Sequence, residues 1–220
     1  TLFLRTPRLA LSISWVLLSL LPFTARSQFF RQDGGLAHTF SIVARDPQTG
    51  EMGVAVQSHW FSVGTSVSWA EAGAGAIATQ SFTNKSFGPR GLALLKSGLS
   101  ARQTLDSLLN SDPGREVRQV AIVDVHGNVA AYTGKMCIQY ASQIEGEEFS
   151  VQSNMMLGNT VCEAMAKAFR NSKGKPLPER LMEALEAAQS AGGDIRGKQS
   201  AAMLIVPARS EGKPWDERLV

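Results

Sequence analysis

The 220-residue sequence has only two cysteines, Cys137 and Cys162. Two cannot staple a domain of this length, so a disulfide framework is excluded and stability must come from a buried core. Free buried thiols and a single bridge both remain open for the pair. Histidine is scarce too. His38, His59 and His126 lie far apart, and none has a cysteine, histidine or carboxylate at helical ligand spacing. No metal site and no cofactor are therefore expected. The 20 glycines build neither a phosphate loop nor a dinucleotide fingerprint. No nucleophile elbow of the G-x-S-x-G kind occurs. Ser58-His59 is only a sequential pair, and strand neighbours point to opposite faces.

A basic surplus is also missing from most of the chain. The formal charge of +3 falls to zero once Arg5, Arg8 and Arg26 are set aside, because residues 1–27 carry no acidic side chain. With no basic stripe interleaved with aromatics, nucleic acid is not expected as a partner. The apolar run 9–23 contains three serines and Pro22. It is shorter than the ~20 residues a membrane span needs. Arg5 and Arg8 precede it, and Ala25-Arg26-Ser27 follow with small residues where a signal protease requires them. Residues 1–27 thus read as a secretory signal peptide, cut before Gln28. The expected product is secreted or periplasmic, with no stable membrane anchor after signal removal.

Residues 28–38 are expected to be a flexible leader. From Thr39 the pattern becomes regular. Residues 40–45 and 53–58 read as strands joined by the turn Asp46-Pro47-Gln48-Thr49-Gly50. Residues 63–69 read as extended, and 77–80 as a buried strand. Helices are expected from Gly88 and after the capping residue Ser100, with Leu92, Leu95, Leu99, Leu105, Leu108 and Leu109 inward. A second hairpin spans 117–133, turning at His126-Gly127-Asn128. A strand follows at 149–154, then helices at 160–170 and 177–191, then a last strand at 200–206. The polar segment 207–220 ends abruptly and reads as the opening of a longer C-terminal part. Hairpins without βαβ alternation predict an α+β fold of antiparallel sheets flanked by helices. Ile42, Val54, Val56, Ile77, Ile122 and Leu204 are the expected buried side chains.

Position singles out Thr39. A hydroxyl nucleophile needs a base, and a threonine that begins a mature chain can use its own α-amino group. That amine ionises near ~8. The layout requires Thr39 to open an inner strand backed by a tight hairpin, and 39–58 supplies it. A threonine that merely begins a strand gives the same pattern.

Seven stretches together resemble the Ntn-hydrolase-like family known as domain of unknown function 1028. They are Thr-Phe-Ser-Ile-Val-Ala-Arg-Asp-Pro at 39–47, Gly-Val-Ala-Val-Gln-Ser at 53–58 and Ala-Gly-Ala-Gly-Ala-Ile-Ala-Thr-Gln at 72–80. Gly-Pro-Arg-Gly-Leu at 88–92, Arg-Gln-Val-Ala-Ile-Val-Asp at 118–124, Ala-Tyr-Thr-Gly at 131–134 and Ala-Gly-Gly-Asp at 191–194 complete the set. The resemblance covers 39–206 and implies a four-layer αββα Ntn-hydrolase-like sandwich. Many relatives begin Met-Thr-Phe-Ser-Ile-Val-Ala, so loss of Met would expose the threonine matching Thr39. Here a cut before Gln28 leaves eleven residues ahead of Thr39. Leu36 and His38 are poor signal-protease residues, so a second cleavage is required.

The function these observations imply is a secreted N-terminal-nucleophile amide hydrolase, with Thr39 catalytic and an unidentified small amide or peptide as substrate. The alternative is a non-catalytic secreted binding or surface-structural protein on the same fold. Ser58, Gln80 and Asn154 are candidates for lining the pocket or holding an oxyanion, and Asp194 and Arg196 for binding a substrate carboxylate. Each has a bland alternative as an ordinary hydrogen-bonding or solvated side chain. A homo-oligomer is left open.

Overall fold

The computed structural model describes residues 36–37 and 39–212. The signal peptide expected at 1–27, most of the leader and residues 213–220 lie outside them.

Sequence periodicity explains the layers. β2 (Thr39–Arg45) and β3 (Met52–Ser58) form the first hairpin, closed by the Asp46–Gly50 turn. Asp46 Oδ1 caps that turn by accepting from the Gln48 and Thr49 N–H groups at 2.8 and 3.0 Å. Gly50 adopts φ +74°, a left-handed conformation that glycine takes without strain. Along β2, Phe40, Ile42 and Ala44 face one core, whereas Val43 faces another. Period-two alternation therefore makes both faces of the strand apolar.

Two antiparallel sheets result. One runs β10 (Ser200–Val206), β3, β2, β9 (Phe149–Ser153), β8 (Ser142–Gly146). The other runs β1 (Leu36–Ala37), β5 (Gly75–Phe82), β6 (Arg118–Asp124), β7 (Val129–Thr133), with β4 (Ser68–Glu71) also paired to β5. Val43, Val54, Val56, Ala76, Ala78, Ala121 and Val123 pack between the sheets. Their small size lets the sheets approach closely. Outside the first sheet, α4 (Val161–Asn171) and α5 (Leu177–Ser190) bury Met165, Phe169, Leu181 and Leu185 against Phe40 and Ile42. Outside the second, α2 (Phe87–Lys96) and α3 (Ala101–Asn110) bury Leu92, Leu95, Leu105 and Leu108 against Ile77 and Ile122. Three cores separate four layers, which is the αββα sandwich expected from the resemblance.

Local signals hold where the chemistry is local. Ser100 caps α3 in a capping box with Gln103. Gly88 lets α2 lie against β4, since a Cβ there would sit 2.0 Å from Trp69. The structure departs from expectation at five places. Residues 63–69 are not one extended stretch: Gly64–Val67 forms a short helix α1 before β4. The Ser66 and Val67 N–H groups donate to Val63 O, and this turn buries Val63 and Val67 between the sheets. Leu204 and Leu99 are only partly buried. Leu204 lies on β10, an edge strand, and Leu99 in the loop between α2 and α3. β8 carried no apolar alternation and was not foreseen. Leu36–Ala37, assigned to the leader, pair with Phe82 and Ser81 as β1.

Both cysteines are free thiols. Burial pushes the pKa of Cys162 and of Cys137 up, which keeps them protonated and unreactive.

One ion pair makes stability depend on pH. Asp112, after α3, accepts from Arg118 Nε at 2.8 Å and from Gly114 N–H at 2.9 Å. Burial alone would raise its pKa. The Arg118 hydrogen bond, the Gly114 N–H and the Arg118 charge overcome this and hold the carboxyl below its usual value. A folded pKa below the unfolded one stabilises above about pH 4, and the gain is lost as pH falls through the folded value. The melting-temperature gap between wild type and Asp112→Asn is therefore expected to shrink between about pH 5 and pH 3. A gap that stays constant over that range would contradict the assignment.

Candidate functional site

At one end of the sandwich the inter-sheet layer changes from apolar to polar. Thr39 pairs in register with Ser58 on β3, and its backbone pairs with Asn154 just past β9. Residues directly opposite on adjacent strands emerge on the same face. Ser58, Thr39 and Asn154 therefore form a row across the first sheet. The facing sheet carries a matching row, Gln80, Gln119 and Thr133, aligned by the β5–β6 and β6–β7 registers. Ser41 and Gln152 lie one step further in. All of these except Thr133 are buried.

The rows are bonded to each other. Gln119 is the hub. Its Oε1 accepts from Gln80 Nε2 at 2.7 Å and Asn154 Nδ2 at 3.0 Å. Its Nε2 donates to Thr133 Oγ1 at 2.8 Å and to the carbonyls of Ser153 and Ser142 at 3.0 and 3.2 Å. Gln80 Nε2 also lies 3.4 Å from Thr39 O. Ser41 Oγ donates to Gln80 Oε1 at 2.7 Å and accepts from Gln152 Nε2 at 2.5 Å. In a low-dielectric interior such a network fixes side chains because any unmade bond is costly.

Thr39 is fully buried, so its hydroxyl opens onto no solvent. Oγ1 donates to Ser58 Oγ at 3.3 Å, a long contact for two hydroxyls. The Thr39 amide N–H donates to Asn154 O at 3.3 Å, and Asn154 N–H returns a bond to Thr39 O at 3.0 Å. An amide nitrogen acylated by residue 38 has no lone pair for base catalysis. Asn154 Oδ1 is buried without a partner among the described residues.

Asp194 and Arg196 lie at the same end. The buried Asp194 carboxylate accepts the His59 N–H at 3.1 Å and is gripped by Arg196 through Nε at 3.1 Å and Nη2 at 2.7 Å. Gln199 N–H, three residues on, donates to Ser58 O. The bidentate pair thus clamps the loop before β10 onto the end of β3, leaving Arg196 engaged with Asp194 rather than turned to a ligand. The structure brings all six sequence candidates, Thr39, Ser58, Gln80, Asn154, Asp194 and Arg196, to one end of the sandwich.

Ser41, Gln119 and Gln152 were missed. Their signal was present: each is a polar side chain at an inward position of an otherwise apolar strand. Among the described residues no group of histidine, cysteine and carboxylate side chains could hold a metal, and no helix is long and apolar enough to cross a membrane.

Comparison with known proteins adds the family. Residues 39–218 match a family of unknown function, DUF1028. The crystal structure of protein SPO2555 from Silicibacter pomeroyi, described with the same family, is 34% identical, with a TM-score of 0.72 over 77% of this chain and 73% of that one. Anbu, an ancestral beta-subunit from Yersinia bercovieri, aligns at 13% identity and a TM-score of 0.36, over 79% of this chain and 84% of that one. No curated protein matches. By the extent of the family match and the identity to the Silicibacter protein, the chain belongs to the DUF1028 family.

Proposed function

We propose that the chain is the precursor of an exported N-terminal-nucleophile amide hydrolase acting on a small amide or peptide, with Thr39 as nucleophile. The observation that carries this is the convergence of buried polar side chains around Thr39. A purely structural sandwich has no need to bury Ser41, Gln80, Gln119, Gln152 and Asn154 where valine and alanine fill the other half of the layer.

Cleavage of the 38–39 peptide bond converts the Thr39 amide into an amine, whose nitrogen lies 3.3 Å from Asn154 O. The neutral amine takes the proton as Oγ1 attacks the substrate carbonyl, and returns it to the leaving nitrogen. The Oγ-acyl ester is then hydrolysed. Ser58 Oγ orients Thr39 Oγ1. Asn154 Nδ2 and Gln80 Nε2, which donate to Gln119 Oε1 in this form, are the side-chain donors assigned to the tetrahedral oxyanion.

The full burial of Thr39 and the pairing of Leu36–Ala37 with β5 favour the second reading, a non-catalytic exported protein on this fold, wherever the leader stays attached. A threonine-directed electrophile separates the two. A β-lactone opened by Oγ1 leaves an ester on its target. Peptide mass mapping of the exported protein is expected to place that adduct on Thr39. Labelling elsewhere, or none, would favour the non-catalytic reading.

A further inference from the structure

A cavity of about 260 Å³ lies at the end of β2 opposite Thr39, between the β2–β3 turn, the β8–β9 turn and the α4–α5 connection. Five basic side chains line it, Arg45, Arg170, Lys173, Lys175 and Arg180, against three acidic ones, Asp46, Glu147 and Glu148. The lining thus holds a surplus of two positive charges.

The cations deepest in it are under-satisfied. Arg180 is 8% exposed and stacks 4.0 Å from the centroid of the Phe169 ring. Its nearest carboxylate oxygen, Asp46 Oδ2, is 3.6 Å away, beyond hydrogen-bond distance. Asp46 already spends its Oδ1 on the turn N–H groups. Arg180 Nε is buried with no partner among the described residues, and so is Arg45 Nε. Arg45 uses Nη1 on Glu148 at 2.7 Å. A buried guanidinium with an idle N–H carries a desolvation cost that a ligand oxygen removes. At the mouth, Arg170 and Lys173 are exposed, while Lys175 pairs with Glu183.

We propose that this cavity binds a small molecule through a phosphate group, with Arg180 and Arg45 as the buried donors and Lys173 and Arg170 at the entrance. A phosphate carries about two negative charges at neutral pH and several acceptor oxygens, which match the surplus charge and the idle donors. Arginine forks take tetrahedral oxyanions bidentately. The site is separate from Thr39 and does not depend on the proposed hydrolase.

Titration calorimetry of the full chain with inorganic phosphate and with phenyl phosphate, at constant ionic strength, tests this. Saturable one-to-one binding is expected for at least one probe. Lys173→Glu, an exposed change that leaves the core intact, is expected to weaken it at least about tenfold. Arg180→Gln is expected to abolish binding, with its fold checked by circular dichroism. Tighter binding of phenyl phosphate would identify an organic phosphomonoester as the ligand class, and equal binding would point to free phosphate. Absence of heat with either probe, or affinity unchanged in Lys173→Glu, would overturn the proposal.

Discussion

Thr39→Ala is expected to abolish both electrophile labelling and amide turnover while leaving the fold in place. Loss of a covalent nucleophile costs about 10⁴-fold or more in rate, because only binding and oxyanion stabilisation remain. The structural cost is small by comparison. Among the described residues the hydroxyl makes one long bond, to Ser58 Oγ at 3.3 Å. A weak buried hydrogen bond is worth about 1 kcal/mol. Thr39→Ser keeps the hydroxyl and is expected to keep partial activity. A melting temperature within a few degrees of wild type, measured beside the rate, separates lost chemistry from lost structure. Turnover that survives in Thr39→Ala would remove Thr39 from the reaction altogether.

Gln119→Leu carries the largest expected effect on stability. Gln119 holds five hydrogen bonds, two through Oε1 and three through Nε2. Leucine has similar volume and replaces none of them. Asn154 Nδ2 would lose its partner inside the layer, and the Ser142 and Ser153 carbonyls would each lose a donor. At about 1–3 kcal/mol for each of the three stranded groups, the change is expected to cost at least about 3 kcal/mol in chemical denaturation. Gln143→Ala, at the rim of the same network, removes a single bond from Thr133 Oγ1 and is expected to cost about 1 kcal/mol. Equal costs for the two would show that the network does not concentrate on Gln119.

Much of the fold was legible because its signals are local or periodic. The Asp46–Gly50 turn, the Ser100 cap and the strand at Ser200–Val206 follow from turn chemistry, capping and pattern. β8 was not legible: Ser142–Gly146 gains its strand character from pairing with β9, a partner supplied by tertiary structure. Gly64–Val67 likewise becomes a helical turn because Val63 and Val67 must both reach the inter-sheet core. Leu204 has the composition of a core residue, but sequence does not say that β10 ends its sheet. In the site, Thr39 stood out by position, Ser58, Gln80 and Asn154 by standing at the ends of expected strands, and Asp194 by following a helix. Gln119 was visible as a polar side chain on an otherwise apolar strand, but its role as a hub exists only where two sheets face each other. Arg196, a candidate for binding a substrate carboxylate, is engaged with Asp194, a pairing set by the loop's own turn.

The proposed mechanism stands on one covalent fact, the identity of the first residue of the working protein. Intact mass and N-terminal sequencing of electrophile-labelled protein, taken from the exported fraction of the producing cell, read it directly. The account predicts that the labelled species begins at Thr39, with unlabelled precursor beginning at Gln28. Labelled or active protein that still carries residues 28–38 would contradict it.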